Sequence, residues 1–207
     1  MTKKLKTTRE VILHTSHYVR GEVLDLGAGT AKYAKHIKPL AEKYVTYDMV
    51  AGPNIDIVGD IHQLALPDQS FDTVISTQVL EHVRQPWVVA GQIARVLRPG
   101  GICVVSAPFL VSFHADPYDY FRYTKEGMAS LFEGQGLEIL ESGTYGGVFL
   151  VLSELIHFAW ANPYQAKINP LGKLVHRLLT PLLSWLDNFS DSRTIYANTF
   201  IVARKTS

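Results

Sequence analysis

Short, almost wholly apolar runs alternate along the chain with stretches whose apolar positions recur every three to four residues. Glu22–Leu26, Lys43–Tyr47, Asp56–Val58, Phe71–Ser76 and Ile102–Ala107 are too short for helices and predict buried strands. Helical spacing predicts three segments around them. Thr8–Val19 carries Val11, Ile12, Thr15, Tyr18 and Val19 on one face and stops at Gly21. Ala31–Leu40 is broken by Pro39, and a third helix has Pro86 in its first turn and runs to Leu97, where Arg98-Pro99-Gly100-Gly101 stops it. This alternation predicts an α/β domain with a parallel sheet covered on both faces. After Pro108 the pattern changes. Phe109–Tyr123 reads as an aromatic loop, Thr124–Phe132 as a helix capped by Thr124, Leu137–Leu140 as a sixth strand and Thr194–Ala203 as an alternating last strand.

Between these last two strands lies a helical insertion, 148–189, where a tight hairpin would suffice. Val148–Trp160 is apolar nearly all round, apart from a stripe of Ser153, Glu154 and His157. From Leu171 to Phe189, leucines recur at helical spacing, opposite Lys173, His176 and Arg177, with a bend expected at Pro181. Three readings stay open for it: a flap packed on the domain, a homodimer interface, or a contact with a membrane surface or lipid substrate. With only Lys173 and Arg177 basic on the polar face, attraction to anionic lipid is weak.

Composition narrows the classes. The chain has 207 residues, 47% of them hydrophobic, with a formal net charge of +1. That excludes a disordered polyelectrolyte and gives no global pull toward nucleic acid. The length fits a single domain, 1–207. One cysteine, Cys103, excludes a disulfide framework. It lies mid-strand and reads as a buried structural thiol. No apolar run approaches the roughly 20 residues of a spanning helix, and Val11–Leu13 is too short for a signal-peptide core, so a cytoplasmic protein is expected.

Candidate chemistry begins at Val23-Leu24-Asp25-Leu26-Gly27-Ala28-Gly29-Thr30, a glycine turn between a buried strand and a helix. Glycines there allow unusual backbone angles and let a ligand approach the main chain. Asp48 ends the next strand, placed to accept hydrogen bonds from ribose hydroxyls. Lys32 stands where a dinucleotide fold has its third glycine, which disfavours a pyrophosphate clamp and a nucleotide-cofactor oxidoreductase.

The ordered set Val23–Thr30, Asp48, Gly59-Asp60-Ile61, Phe71–Ser76 followed by Val79-Leu80-Glu81-His82-Val83, and Arg95-Val96-Leu97-Arg98-Pro99-Gly100-Gly101 resembles the class I S-adenosylmethionine (SAM)-dependent methyltransferases of the type 11 group. The resemblance covers about residues 20–145 and the last strand. It implies a Rossmann-like, seven-stranded, mostly parallel sheet whose last strand runs antiparallel, and SAM as cofactor. Carried over by position, Gly27 and Gly29 would pass close to the methionine part of SAM, and Asp25 would support that turn or meet the amino group through water. Asp48 would hold the ribose hydroxyls, with Met49 against the adenine. Asp60 would receive the adenine amino group, Ile61 would line its pocket, and Thr77 and Gln78 would lie beneath the methionine and the sulfur. The chain departs from the family at Ala31, often a third glycine, where one methyl should narrow the turn without abolishing binding.

Oxygen or nitrogen acceptors usually need a proton removed, so a base near the methyl is expected. Phe113–Thr124 follows the fifth strand, where acceptors sit in this fold. Its His114 is the first choice of base, with Tyr118 and Tyr120 as further catalytic or wall-forming candidates. His82 is read as structural, and Asp119 and Arg122 as a pair. His82, His114 and Asp116 share no tight ligand spacing, so no metal is expected. The resulting reading is a metal-independent methyl transfer from SAM to a small-molecule or sugar- or lipid-linked acceptor. A SAM-binding protein without catalysis is the alternative.

Overall fold

The computed structural model describes residues 4–115, 117–158, 161–162, 167–168, 170–190 and 194–206. Helix α1 (Thr8–His14) is capped by Thr7, whose hydroxyl accepts from the Glu10 N–H at 3.2 Å. The α-helix stops earlier than expected and continues as a 3₁₀ turn, Thr15–Tyr18. The Thr15 and Ser16 hydroxyls bond back to the Val11 and Leu13 carbonyls there, an arrangement that bends helices. Strand β1 (Glu22–Leu26) leads through the glycine turn to a short α2 (Ala34–Ile37), continued by 3₁₀ residues Lys38–Leu40. Strands β2 (Lys43–Asp48), β3 (Ile57–Val58) and β4 (Phe71–Thr77) follow. Next come α3 (Pro86–Val96), β5 (Leu97–Pro108), α4 (Lys125–Glu133) and β6 (Leu137–Gly147). The chain then forms α5 (Val148–Phe158), a small hairpin of β7 (Ala161–Asn162) and β8 (Lys167–Ile168), α6 (Pro170–Leu186) and β9 (Tyr196–Lys205).

Seven strands form one sheet in the order β3-β2-β1-β4-β5-β9-β6. The first five are parallel; β9 is antiparallel to both β5 and β6. This is the mixed sheet with an antiparallel last strand that the family resemblance implies. Each face is covered. Leu24, Leu26, Val74, Val105 and Ile201 pack beneath α3 and α4, while Val23, Ile75, Val104 and Val202 pack against Ile12, Val19 and Ile37. Strand alternation sends successive side chains to these two layers. Cys103 is fully buried, and burial pushes its thiol up to about 12.

The topology gathers the loops. Because β6 pairs antiparallel with β9, it runs parallel to β5, and its C-terminal end shares an edge with those of β1, β2 and β4. The insertion starts at that end and returns at the N-terminal end of β9, beside Pro108, which pairs with Asn198. Asp187 is fully buried and fastens the insertion: its carboxylate accepts from the N–H groups of Gly147 and Phe149 at 3.1 Å each. Ser153 and Thr180 join α5 to α6 through their hydroxyls at 2.9 Å. The outer side of these helices is apolar, with Leu155, Leu178, Trp185 and Phe189 each more than half exposed. Among the described residues no helix is long and apolar enough to cross a membrane.

Candidate active site

The glycine turn needs its glycines for separate reasons. Gly27 has φ +72°, and a Cβ there would lie 2.4 Å from Val79 Cγ2. Gly29 has φ +56°, and its Cβ position faces open space, with no atom within 4 Å among the described residues. The turn is thus closed toward the protein and open toward the strand edge, the shape of a ligand cradle. Ala31 also sits in the left-handed region, φ 55°, where only glycine is free of strain. The turn therefore extends to Tyr33, which shortens the helix expected over Ala31–Leu40.

The acids expected at the cofactor lie along the same edge. One Asp48 oxygen accepts from the Gly29 N–H at 2.8 Å and the other from the Val50 N–H at 2.9 Å, so the end of β2 braces the turn after β1. Lone pairs remain on both oxygens for further donors. Met49 is 64% exposed beside it. Asp60 is exposed and bonded to His62, whose backbone N–H lies at 2.8 Å and ring Nδ1 at 2.7 Å; these hydrogen bonds hold its carboxyl below the usual range. Ile61 is buried. Asp25 is 7% exposed on β1, with the Tyr44 hydroxyl of β2 donating to it. Burial is the main reason its carboxyl is pushed up to about 6; the Tyr44 bond opposes this and the nearby Asp48 charge adds to it.

Thr77 ends β4 half-buried, and Gln78 follows at φ 58°. The Gln78 carboxamide donates to the Tyr145 hydroxyl at 2.9 Å and the Ser106 hydroxyl at 3.3 Å. Its side chain is therefore tied to β5 and β6, and its strained backbone is what this residue brings to the strand edge.

On the far side of β4 a second group gathers around Glu81. This residue is fully buried, and neither carboxylate oxygen has a hydrogen-bond partner among the described residues. Its Oε1 lies 3.6 Å from His82 Nε2 and 3.8 Å from His114 Nε2. The two imidazoles meet edge to face, ring centres 5.2 Å apart. The loop after β5 is pinned here: His82 Nδ1 bonds the Tyr118 carbonyl at 2.6 Å, and the Tyr120 N–H donates to the Glu81 carbonyl at 2.7 Å. Asp119 accepts from the two terminal nitrogens of Arg122, at 2.5 and 2.7 Å, and from the His114 N–H at 2.8 Å. The neighbouring Glu81 raises the His114 pKa, against the effect of burial. Tyr118 and Tyr120 stack at 5.5 Å and are 60% and 42% exposed, so they form an aromatic outer wall. The insertion touches the same loop, since Glu154 of α5 accepts from the Ser112 N–H at 3.3 Å. Burial raises the Glu154 carboxyl above its usual range.

The structure thus brings His114, Tyr118 and Tyr120 to the strand edge that also carries the glycine turn and Asp48. His82, read as structural, shares the His114 cluster, and Asp116 lies outside the described residues. Glu81 and Tyr44 join the site without a signal of their own in the sequence, and Glu154 joins it from the polar stripe of α5. Glu81 stood within the Leu80-Glu81-His82 run, but nothing in the sequence marks its burial.

A sheet with this strand order, an antiparallel β9 and a glycine turn facing an acid on the next strand defines a Rossmann-like methyltransferase fold. The family model for a methyltransferase domain matches residues 24–105. Over those residues the chain is similar to the class I SAM-dependent methyltransferases of the type 11 group. It is 28% identical over 153 residues to a protein of Mycolicibacterium smegmatis named "Probable S-adenosylmethionine-dependent methyltransferase", covering 66% of this chain and 60% of that protein. It is 31% identical over 94 residues to the malonyl-[acyl-carrier protein] O-methyltransferase of Yersinia pestis, covering 41% and 35%. The chain therefore matches less than two thirds of the length of either relative. In fold it is similar to a SAM-dependent methyltransferase from Archaeoglobus fulgidus, with a TM-score of 0.64, 16% identity, and 95% and 92% of the two chains covered.

The crevice fits the cofactor of that family. The Cβ position of Gly29 faces open space, and Asp48 keeps spare acceptor capacity next to it, so the turn leaves room for a polar ligand against the main chain.

Proposed function

We propose that this chain transfers the methyl group of SAM to a small-molecule acceptor, free or carried on a sugar or lipid. One observation supports this most: a nucleoside-type cradle, Gly27–Thr30 with Asp48, shares a sheet edge with a loop holding His114 against a buried carboxylate. SAM supplies an activated methyl on a sulfonium, so the transfer itself asks for no metal. In this reading Gly27, Gly29 and Asp25 hold the methionine end, Asp48 the ribose hydroxyls, and Asp60, Ile61 and Met49 the adenine. Thr77 and the Gln78 backbone form the floor.

The chain's remaining work is to align the acceptor, remove its proton and exclude water. The Ser112 carbonyl, 2.8 Å from His114 Nδ1, keeps the ring proton on that nitrogen and leaves the Nε2 lone pair to take up a proton. Tyr118 and Tyr120 wall the acceptor. The insertion borders this face through Glu154, and its exposed apolar side suits a lipid-linked acceptor or a membrane surface. Methyl-tritiated SAM incubated with the protein and fractionated cell extract tests the proposal. Label is expected in a small-molecule or lipid-extractable fraction and should fall with Asp48→Ala. Label confined to nucleic acid or protein would overturn the acceptor class. No transfer despite intact S-adenosylhomocysteine binding would favour a non-catalytic SAM-binding protein.

A further inference from the structure

Glu81, His82 and His114 turn three potential ligand atoms toward one another. Both Nδ1 atoms face backbone carbonyls, Tyr118 O at 2.6 Å and Ser112 O at 2.8 Å, which can only accept. Each ring proton therefore belongs on Nδ1, and each Nε2 turns its lone pair toward Glu81. One ligand atom from each of the three residues lies within 4.8 Å of the other two. The Glu81 separations of 3.6 and 3.8 Å are too long for hydrogen bonds. They are close to the ligand-to-ligand spacing around a tetrahedral ion whose bonds are roughly 2.0–2.2 Å long. A fully buried carboxylate with both oxygens unpartnered among the described residues calls for a partner, which a cation held there would supply.

We propose that Glu81, His82 and His114 bind a divalent transition-metal ion of the zinc class. Two imidazoles and one carboxylate are a donor set that such ions accept, with a fourth position left open. The carbonyls on both Nδ1 atoms are the outer hydrogen bonds that orient metal-bound histidines. Glu81 and His82 follow β4, whereas His114 belongs to the loop after β5, so the ion ties that loop to the end of the sheet. Glu81 is sealed, while the His82 and His114 side chains are 18% and 32% exposed, so the open position faces the histidine side. That position suits an oxygen of the acceptor, and this last step rests on the acceptor reading given above; the ion site does not. With the ion seated, His114 Nε2 would be a ligand, and the ion would take over its role by stabilising the acceptor oxygen as an anion whose proton leaves to solvent.

The test is titration of the chelator-stripped full chain with Co²⁺, followed by its visible d–d absorption, together with metal analysis of protein purified from zinc-supplemented medium. One equivalent of metal is expected. Glu81→Gln and His82→Ala should each weaken Co²⁺ binding by more than about 100-fold, because even an outer partner of a metal ligand is worth roughly 10–100-fold. Both variants should bind S-adenosylhomocysteine as the parent does, which certifies their fold. Absence of a d–d band in the parent, or equal Co²⁺ affinity in parent and variants, would overturn the site and leave a proton on an imidazole as the partner of Glu81. Metal binding without cofactor binding would instead count against the methyltransferase reading alone.

Discussion

Asp25→Asn should stabilise the protein at pH 8 while weakening its cofactor site. Asp25 lies on β1, 7% exposed, and its carboxyl is pushed from 3.8 to about 6, chiefly by burial. At about 1.36 kcal/mol per pH unit, that difference corresponds to ~3 kcal/mol. The sign follows from linkage. An acid whose folded pKa exceeds its unfolded value holds its proton more tightly in the folded chain. Its contribution to stability is therefore intact below about pH 4, falls as pH rises through about 6, and stays low above that. Asparagine keeps an acceptor for the Tyr44 hydroxyl and removes the charge. Urea unfolding of parent and variant should show the variant more stable by ~1–3 kcal/mol at pH 8, the lower figures reflecting a weaker bond from Tyr44 to a neutral acceptor. The gap should close toward pH 4, where both side chains are neutral. In a domain of this size it corresponds to roughly 2–12 °C in Tm. Comparing the two proteins at each pH cancels every other titrating group. A variant less stable than the parent at pH 8, or a gap that does not change with pH, would refute the buried-charge argument.

Four further outcomes are expected. Asp48→Ala should weaken SAM binding about 10–150-fold, the equivalent of about 1.5–3 kcal/mol for hydrogen bonds to a charged group; an unchanged Kd in the folded variant would remove Asp48 from the ribose site. Ala31→Gly should raise unfolding stability by about 0.5–1 kcal/mol by relieving the left-handed backbone at φ 55°, and a loss of stability would show that the methyl packs usefully. Asp187→Ala should strip the N–H groups of Gly147 and Phe149 of their acceptor, costing about 1–3 kcal/mol and speeding hydrogen exchange at the start of α5; unaltered exchange would contradict the fastening role. His114→Ala should lower methyl transfer and leave the Kd for SAM unchanged, whereas loss of SAM binding would move His114 to the cofactor side.

The parallel half of the sheet was legible because its strands are short apolar runs punctuated by turn residues. Elements that follow pairing rather than pattern were not. β6 continues from Leu140 to Gly147 through Glu141, Ser142 and Gly143, residues that favour a turn, because β9 offers a full partner as far as Tyr196. β5 reaches back through Arg98-Pro99-Gly100-Gly101 because a register shift between Phe71 and Thr73 absorbs those residues. At the cofactor edge, Gly27, Gly29 and Asp48 could be read from position, since a turn between buried strand and helix has few geometric solutions. The hold of Tyr44 on Asp25 could not, because it depends on β1–β2 register. Glu81 was hidden for a related reason: an acid in a short 3₁₀ turn normally faces water, and here the loop after β5 folds back over it, with the Tyr120 N–H on its carbonyl and His114 beside its carboxylate.

Calorimetric titration of the full chain with S-adenosylhomocysteine and, separately, with NAD tests the central claim most directly. The account predicts saturable one-to-one binding of S-adenosylhomocysteine, weakened by Asp48→Ala, and no heat of binding for NAD, whose pyrophosphate would meet Ala31 and Lys32 instead of a third glycine. Saturable NAD binding with none for S-adenosylhomocysteine would contradict it.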